Sequence, residues 1–410
     1  MRVYIETYGC TANEADSAGI REAIIASGGT ITGDPGEADS IVINTCAVTG
    51  HTSSSMLRAI RKYSGKHLIV AGCMAAAEPG RLAGFTCMDA PGPFPVIRAL
   101  GLNATDHLPF SIRGRTAIIK IAEGCSGQCS YCIVRFARGG LHSSPIESVT
   151  DAVRRAVEAG AAEIYLTAQD TGAYGKDLGV RLPDLLYNIV GLPGMFKVRI
   201  GMMNPFSIAD MIPEMIDVLN LPAVYRFAHI PIQSGSDRIL GLMRRPYTER
   251  KYTEIVERLR EGVPGITFST DYIVGFPTET DRDFRLTLED LEKNRQLKVN
   301  ITRFSPRPGT EAALMPDTIE RVKKDRSRVL TALHHQITSA YMKGSIGSRK
   351  TVLVTEKGKA GTVIARDASY NMVVIPEDLP LGMTVDVNIS DARITYMIGE
   401  CAKACNGAIK

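Results

Sequence analysis

Tryptophan is absent from this 410-residue chain, and so is any apolar run approaching the ~20 residues of a membrane span. The first absence excludes no class of function; the second excludes a membrane-crossing helix. The opening segment MRVYIETYGC lacks the pattern of a secretory signal, so a cytoplasmic protein without a membrane partner is expected. Charge of one sign is also scarce in excess. Net charge is only +4, from 48 Lys and Arg against 44 Asp and Glu, too little to announce a nucleic-acid binder by itself. No row of aromatic residues suited to stacking on RNA bases stands out. What remains is ordinary globular composition, 44% hydrophobic and 22% charged, with room for two or three domains.

Nine cysteines are present. They do not imply secretion, because six fall in contexts that need reduced thiols. Cys125, Cys129 and Cys132 form the run GCSGQCSYC. Their CxxxCxxC spacing lets three thiolates hold three irons of a four-iron, four-sulfur cube and leaves one iron without a protein ligand. Closed metal sites are structural and open ones catalytic, so this spacing points to chemistry. The alternatives are zinc and a disulfide pair. Zinc clusters usually bring a fourth Cys or His in paired CxxC units, and none follows here. Three further cysteines each follow an apolar stretch: Cys10 in ETYGCTAN, Cys46 in VINTCAVT and Cys73 in VAGCMAA. Open α/β sheets place ligands beyond the carboxyl ends of their strands, so these three could converge on one site. Three buried structural thiols are the bland alternative.

Three domains are expected. Residues 1–107 read as a small α/β unit with strands at 3–8, 40–45 and 67–72, closed by the Gly- and Pro-rich stretch MDAPGPFPVIRALGLNAT as a linker. Residues 108–343 alternate six strands, at 116–121, 163–168, 197–201, 225–230, 267–274 and 299–304, with helical patterns. That suggests a parallel sheet curved into a partial (β/α)6 barrel, with the cysteine loop after its first strand. Residues 344–400 carry five short strands without long helices, at 350–355, 361–366, 371–375, 384–390 and 393–399, which suggests a small β-barrel. Residues 401–410 are a tail. The positive excess is concentrated in residues 301–350, with 10 Lys and Arg against 4 Asp and Glu. Such a patch could track phosphates, although exposed helices are often basic without a partner.

In order along the chain, TYGC, NTCAVT, GCSGQCSYCIVRFARG, HIPIQSGSDRIL, MRRPYT, DYIVGFPTETDRDF and ITRFSPRPGTEAA resemble the methylthiotransferases of the radical S-adenosylmethionine (SAM) superfamily over nearly the whole length. VRIGMMNP and CIVRFARG look most like the archaeal and eukaryotic tRNA branch, which acts on N6-threonylcarbamoyladenosine at tRNA position 37. Arg135 stands where most bacterial members have Pro, and Thr11 where many have Gln. The resemblance implies a radical-SAM barrel, a terminal RNA-binding barrel of the TRAM kind, and two 4Fe–4S clusters. The SAM-cleaving cluster would sit on Cys125, Cys129 and Cys132, the auxiliary one on Cys10, Cys46 and Cys73. SAM supplies a 5′-deoxyadenosyl radical and a methyl group. An electron donor and a sulfur donor are implied without being identified.

Other residues are weaker expectations. Tyr131, Gln233, Ser234 and Gly275 are candidates to contact SAM, the last as an ordinary turn glycine otherwise. Arg199 could meet a substrate carboxylate bidentately, a buried ion pair being the rival. Arg303 and Arg307 are candidates for RNA phosphate or that carboxylate. His229 reads as a satisfied structural histidine. Cys401 and Cys405 lack the ligands of a closed metal site, and Cys87 has no nameable partner. Rival functions are methylthiolation of isopentenyladenosine tRNA or of a ribosomal-protein aspartate, another radical-SAM RNA methyltransferase, and a non-catalytic iron–sulfur RNA-binding protein.

Overall fold

The structure is a computed structural model that describes residues 1–47, 50–359 and 361–402, without the side chains of residues 50–54. The first unit is a parallel sheet with strand order Thr30–Ile31, Arg2–Thr7, Ser40–Thr45, Leu68–Gly72, Thr86–Cys87. Its middle strands are buried on both faces, as parallel strands covered by helices must be. The two outer strands hold two residues each, too short to leave a hydrophobic periodicity. The stretch expected to be a linker contains the helix Pro93–Ala99, with Pro at its first turn and Val96 and Ile97 buried. Proline's fixed φ suits that position, so the prolines read as linker residues are a helix start.

The second unit carries six parallel strands in chain order: Thr116–Lys120, Glu163–Thr167, Lys197–Ile200, Phe227–His229, Thr267–Val274 and Lys298–Arg303. Single bridges join Val198 to Val224 and Met202 to His229, continuing one half of the sheet into the other. The antiparallel strand Phe110–Arg113 sits at the first edge. Along the second strand Ile164 and Leu166 are fully buried in the core beneath the helices, so the alternate residues Glu163, Tyr165 and Thr167 face the barrel lumen. Two short helices, Pro205–Ile208 and Ile212–Leu219, lie between its third and fourth strands, each opened by a proline near its start.

Helix Glu320–Gly344 carries much of the basic excess and lies against the barrel. Two of its cations are internal. Lys323 donates to Phe304 O and Asp317, and Arg326 to Glu279 and Asp281. The local charge excess therefore overstates the surface available to phosphates.

The third unit is a closed five-stranded barrel. Its last strand is Met397–Cys401, later than expected, because Arg393 and Tyr396 make a turn. The turn 367–371 of this barrel closes the bottom of the central one: Arg226 N donates to Ala368 O at 2.9 Å, Ser369 Oγ to Gly265 O at 2.6 Å, and Lys298 Nζ to Tyr370 O at 2.6 Å. No helix of the described residues is long and apolar enough to cross a membrane.

One buried acid makes the fold sensitive to pH. Asp290 accepts hydrogen bonds from Tyr272 and Asn294, yet burial, with Glu249 nearby, pushes its carboxyl up to about 7. The unfolded chain releases that proton near the ordinary value of about 3.9. The stability this group adds is therefore full below about pH 4 and falls as pH rises toward 7, where only the unfolded state has already ionised. Urea-unfolding midpoints of Asp290→Asn are expected to fall less steeply than wild type over that window. Parallel pH profiles would refute the assignment.

Candidate functional site

The first cysteine trio is built by strand ends. Thr7, Thr45 and Gly72 terminate three adjacent parallel strands, and Cys10, Cys46 and Cys73 follow them. Two glycines let these ends converge. Gly9 has φ +109°, and a Cβ there would lie 2.7 Å from Cys46 Cβ; Gly72 has φ +87°, and its Cβ would lie 2.4 Å from Thr45 O. Asn13 Nδ2 donates to Tyr8 O and Thr45 O, and Asn44 Nδ2 to Asn13 O, lacing the loops together. Cys10 is exposed while Cys46 and Cys73 are buried. Burial pushes the Cys73 thiol up to about 11, against the pull of Arg138, and both other thiols are close enough to add to it.

The second trio sits on the loop after the first barrel strand. Gly127 N donates to Cys125 Sγ at 3.3 Å, and a Cβ on Gly127 would touch both Cys125 Sγ and Cys129 Sγ. Cys132 N donates to Cys129 O, and burial pushes the Cys132 thiol up to about 11, with Cys129 and Cys125 beside it. Arg245 anchors this loop: Nη1 reaches Cys129 Sγ at 3.1 Å, Nη2 reaches Asn204 Oδ1 at 2.6 Å, and Nε reaches Tyr247 Oη at 2.7 Å. Asn204 is held by Asp170, which is fully buried and also takes Ser207 Oγ at 2.6 Å. Tyr131 packs edge-on against Phe276, and Phe276 against Phe304, closing one side with apolar surface.

Arg138 joins the trios. It lies six residues beyond Cys132, and its Nε donates to Cys73 Sγ at 3.2 Å. Its Nη2 meets Asn13 Oδ1 at 2.6 Å and Asp16 Oδ2 at 2.8 Å, and its Nη1 meets Glu123. Lys120 bridges Asp16 and Glu123. Beside this knot Thr11 Oγ1 and Thr167 Oγ1 are 2.8 Å apart, seating the first unit on the barrel mouth. Both donor sets are thiols only, and each has one thiol facing a buried guanidinium N–H. That arrangement stabilises metal-bound thiolate in a desolvated site. The chemistry of the donors fits iron–sulfur clusters.

The weaker candidates fall in several places. Gln233 sits at φ +77° and bridges to Tyr272, at the barrel strand ends. Ser234 is fully buried, and its hydroxyl faces Thr287 and accepts from Ser236 N. The expectation that it touches SAM therefore gives way to an internal role. The space a Cβ would need at Gly275 is filled by Lys323 Cγ at 2.4 Å, so the close approach it permits is to that lysine. His229 Nε2 is 3.0 Å from Asp271, which also accepts from Asn300. Arg303 is exposed and paired with Glu320. Arg307 is buried near Glu78 and Cys46, beside the first trio, and burial lowers its pKa.

Arg199 lies in the lumen with Cζ 3.8 Å from the Tyr165 ring centroid, 5.2 Å from Phe227 and 5.0 Å from Tyr370. Cys87 faces Leu82 O and Cys401 ends the last strand; Cys405 lies outside the described residues. Sequence reasoning missed Arg138, Arg245, Asp16 and Asp170. The two arginines stand inside the quoted runs CIVRFARG and MRRPYT, but nothing local marks a charge as buried when its partners are distant in sequence, as Asp16 and Cys73 are for Arg138 and Cys129 for Arg245.

Three family models match the chain: "Uncharacterized protein family UPF0004" over residues 2–89, "Radical SAM superfamily" over 119–291 and "TRAM domain" over 344–402. A "Probable threonylcarbamoyladenosine tRNA methylthiotransferase" of Archaeoglobus fulgidus is 40% identical, covering 98% of this chain and 99% of that protein. The Homo sapiens threonylcarbamoyladenosine tRNA methylthiotransferase is 34% identical over 98% of this chain and 74% of its own. Among solved structures the fold is similar to the radical SAM methyltransferase TsrM of Kitasatospora setae, with TM-score 0.58, 13% identity and coverage of 76% of this chain and 75% of that one.

Metal content tests the two trios directly. Anaerobically reconstituted protein is expected to bind about eight irons, as two cubes require, and the joint Cys10, Cys46 and Cys73 to Ala variant about four. A full iron load in a folded triple variant would remove the second cluster from the account.

Proposed function

This chain belongs to the threonylcarbamoyladenosine tRNA methylthiotransferases of the radical-SAM superfamily, and from that premise we propose that it replaces the C2 hydrogen of N6-threonylcarbamoyladenosine 37 in tRNA with a methylthio group. The observation that carries the reading is the placement of two thiol trios at one barrel mouth, the first held by Arg138 from the helix that follows the second. A lone SAM-cleaving site would need only the second trio; a reaction that also inserts sulfur needs a second place to hold it.

In this reading Cys125, Cys129 and Cys132 hold one 4Fe–4S cluster, and Cys10, Cys46 and Cys73 the other. Bound there, the clusters and SAM supply the radical, the sulfur and the methyl group. The chain's own residues position and enclose. Arg245 and Arg138 each fix one ligand thiol by a charge-assisted hydrogen bond. Tyr131, Phe276 and Phe304 exclude water from one flank, and Tyr370 shuts the far end of the lumen. The exposed cations Arg321, Lys324 and Arg328 on helix Glu320–Gly344 and the terminal barrel grip the tRNA backbone. An anticodon loop suits the enzyme because its bases can be splayed out without breaking a duplex. The need for reduced thiols supports a cytoplasmic location.

Two measurements test this. The joint Cys10, Cys46 and Cys73 to Ala variant is expected to lose methylthio product while still cleaving SAM to 5′-deoxyadenosine; equal loss of both in a folded protein argues against separate roles. Wild-type protein with SAM and reductant is expected to modify threonylcarbamoylated tRNA and leave isopentenylated tRNA unchanged. Equal turnover of both, or turnover only of a ribosomal protein, would overturn the substrate assignment.

A further inference from the structure

The floor of the barrel lumen carries cations with unused hydrogen-bonding capacity. Arg199 Nε and Nη1 are buried and donate to no described residue. The guanidinium lies against Tyr165, Phe227 and Tyr370, apolar surfaces that give Nε and Nη1 no acceptor. Lys298 Nζ sits 4.9 Å from the Phe227 ring and 4.5 Å from Tyr370. Its one hydrogen bond goes to Tyr370 O, leaving two protons. Arg366 covers the other ring contact of Tyr370 at 4.8 Å. Burial, with Arg366 and Arg199 nearby, pushes the Lys298 ammonium well below its ordinary pKa, the mark of cations crowded without enough anion. The nearby acids are already occupied: Glu163 by Tyr225 Oη at 2.9 Å and Thr116 Oγ1 at 3.1 Å, and Asp367 by Lys350 Nζ at 3.0 Å, Ser369 N and Asn371 N. Orphaned buried donors carry a free-energy cost that a bound acceptor removes.

Depth decides what that acceptor is. Tyr165 pairs with Arg199 across the strands and lies two residues below Thr167. Thr167 touches Thr11, next to Cys10, at the mouth. At strand rise the cationic floor is therefore about 7 Å below the cysteine level, the reach of a carbamoyl-linked amino acid hanging from an adenine whose opposite edge is at the mouth. A neutral alkenyl substituent would leave the same donors unpaired.

We infer that Arg199, with Lys298, is the receptor for the carboxylate of the substrate's threonylcarbamoyl group and so selects that nucleoside over ones with apolar N6 substituents. This rests on the substrate assignment of the preceding section. Arg199 meets the carboxylate through its unpaired guanidinium N–H groups, Lys298 through its ammonium, and the rings hold both in place.

The test is binding, with reconstituted full-length protein and three anticodon stem-loop RNAs: one with threonylcarbamoyladenosine, one with its methyl ester, one isopentenylated. Wild type is expected to bind the free carboxylate at least about tenfold more tightly than the ester, the scale of one charge-assisted hydrogen bond. In Arg199→Gln that ratio falls to about one, and Arg199→Lys recovers part of it. If Arg199→Gln does not fold, Lys298→Gln gives the same readout with a smaller fall. Equal affinity of wild type for acid and ester, or an unchanged ratio in the folded variants, overturns the receptor while leaving the substrate assignment standing. Tighter binding of the isopentenylated RNA overturns both.

Discussion

The placement of Arg138 is the constraint on which the rest of this molecule depends. A guanidinium buried to 1% exposure is costly unless every partner is present, and its partners come from two domains: Asn13, Asp16 and Cys73 from one, Glu123 from the other. Burial lowers the charge state's stability, yet Asp16 and Glu123 outweigh it and hold the pKa of Arg138 well above its ordinary value. Truncating it would strand Asp16 with Lys120 alone. The same side chain thus fixes how the first unit sits on the barrel and which thiol faces it. Because it follows Cys132 by six residues in sequence, a shift in either cysteine loop moves both.

The central barrel was legible because its strands are apolar runs punctuated by helical periodicity, and the parallel strands at 267–274 and 116–120 begin where their sequence patterns do. Thr280 and Asp283 close a capping box at the start of helix Asp281–Asn294. The two-residue edge strands carried no period to detect, and PFPVIRA looked like linker because its prolines speak louder than its two buried aliphatics. The six cysteines were legible as motifs, and strand-end positions pointed to the meeting of Cys10, Cys46 and Cys73; that Gly9 and Gly72 adopt positive φ to permit it was not legible. Ser234 and Gly275 show the limit of motif reasoning. Both stand in recognisable runs, but their side-chain space is spent on Thr287 and Lys323 inside the fold.

Charge counting was the least reliable guide. The positive excess of residues 301–350 includes Lys323 and Arg326, which pin a helix to the barrel, and Arg307, which lies beside Cys46. Meanwhile Arg199, Lys298 and Arg366 gather at one floor from strands of two domains. Local sequence density of charge and spatial density of charge are different quantities, and only the second creates a site.

Tyr370 carries a consequence for how this architecture can change. It adopts φ +62°, in the left-handed region that a non-glycine side chain enters at a cost, and in doing so presents its ring to the lumen from a domain otherwise outside it. The terminal barrel, which matches the TRAM domain, is therefore also a wall of the central lumen. It is no interchangeable appendage: grafting a different RNA-binding module in its place would leave the chamber without a bottom, with Arg199 and Lys298 opened to water.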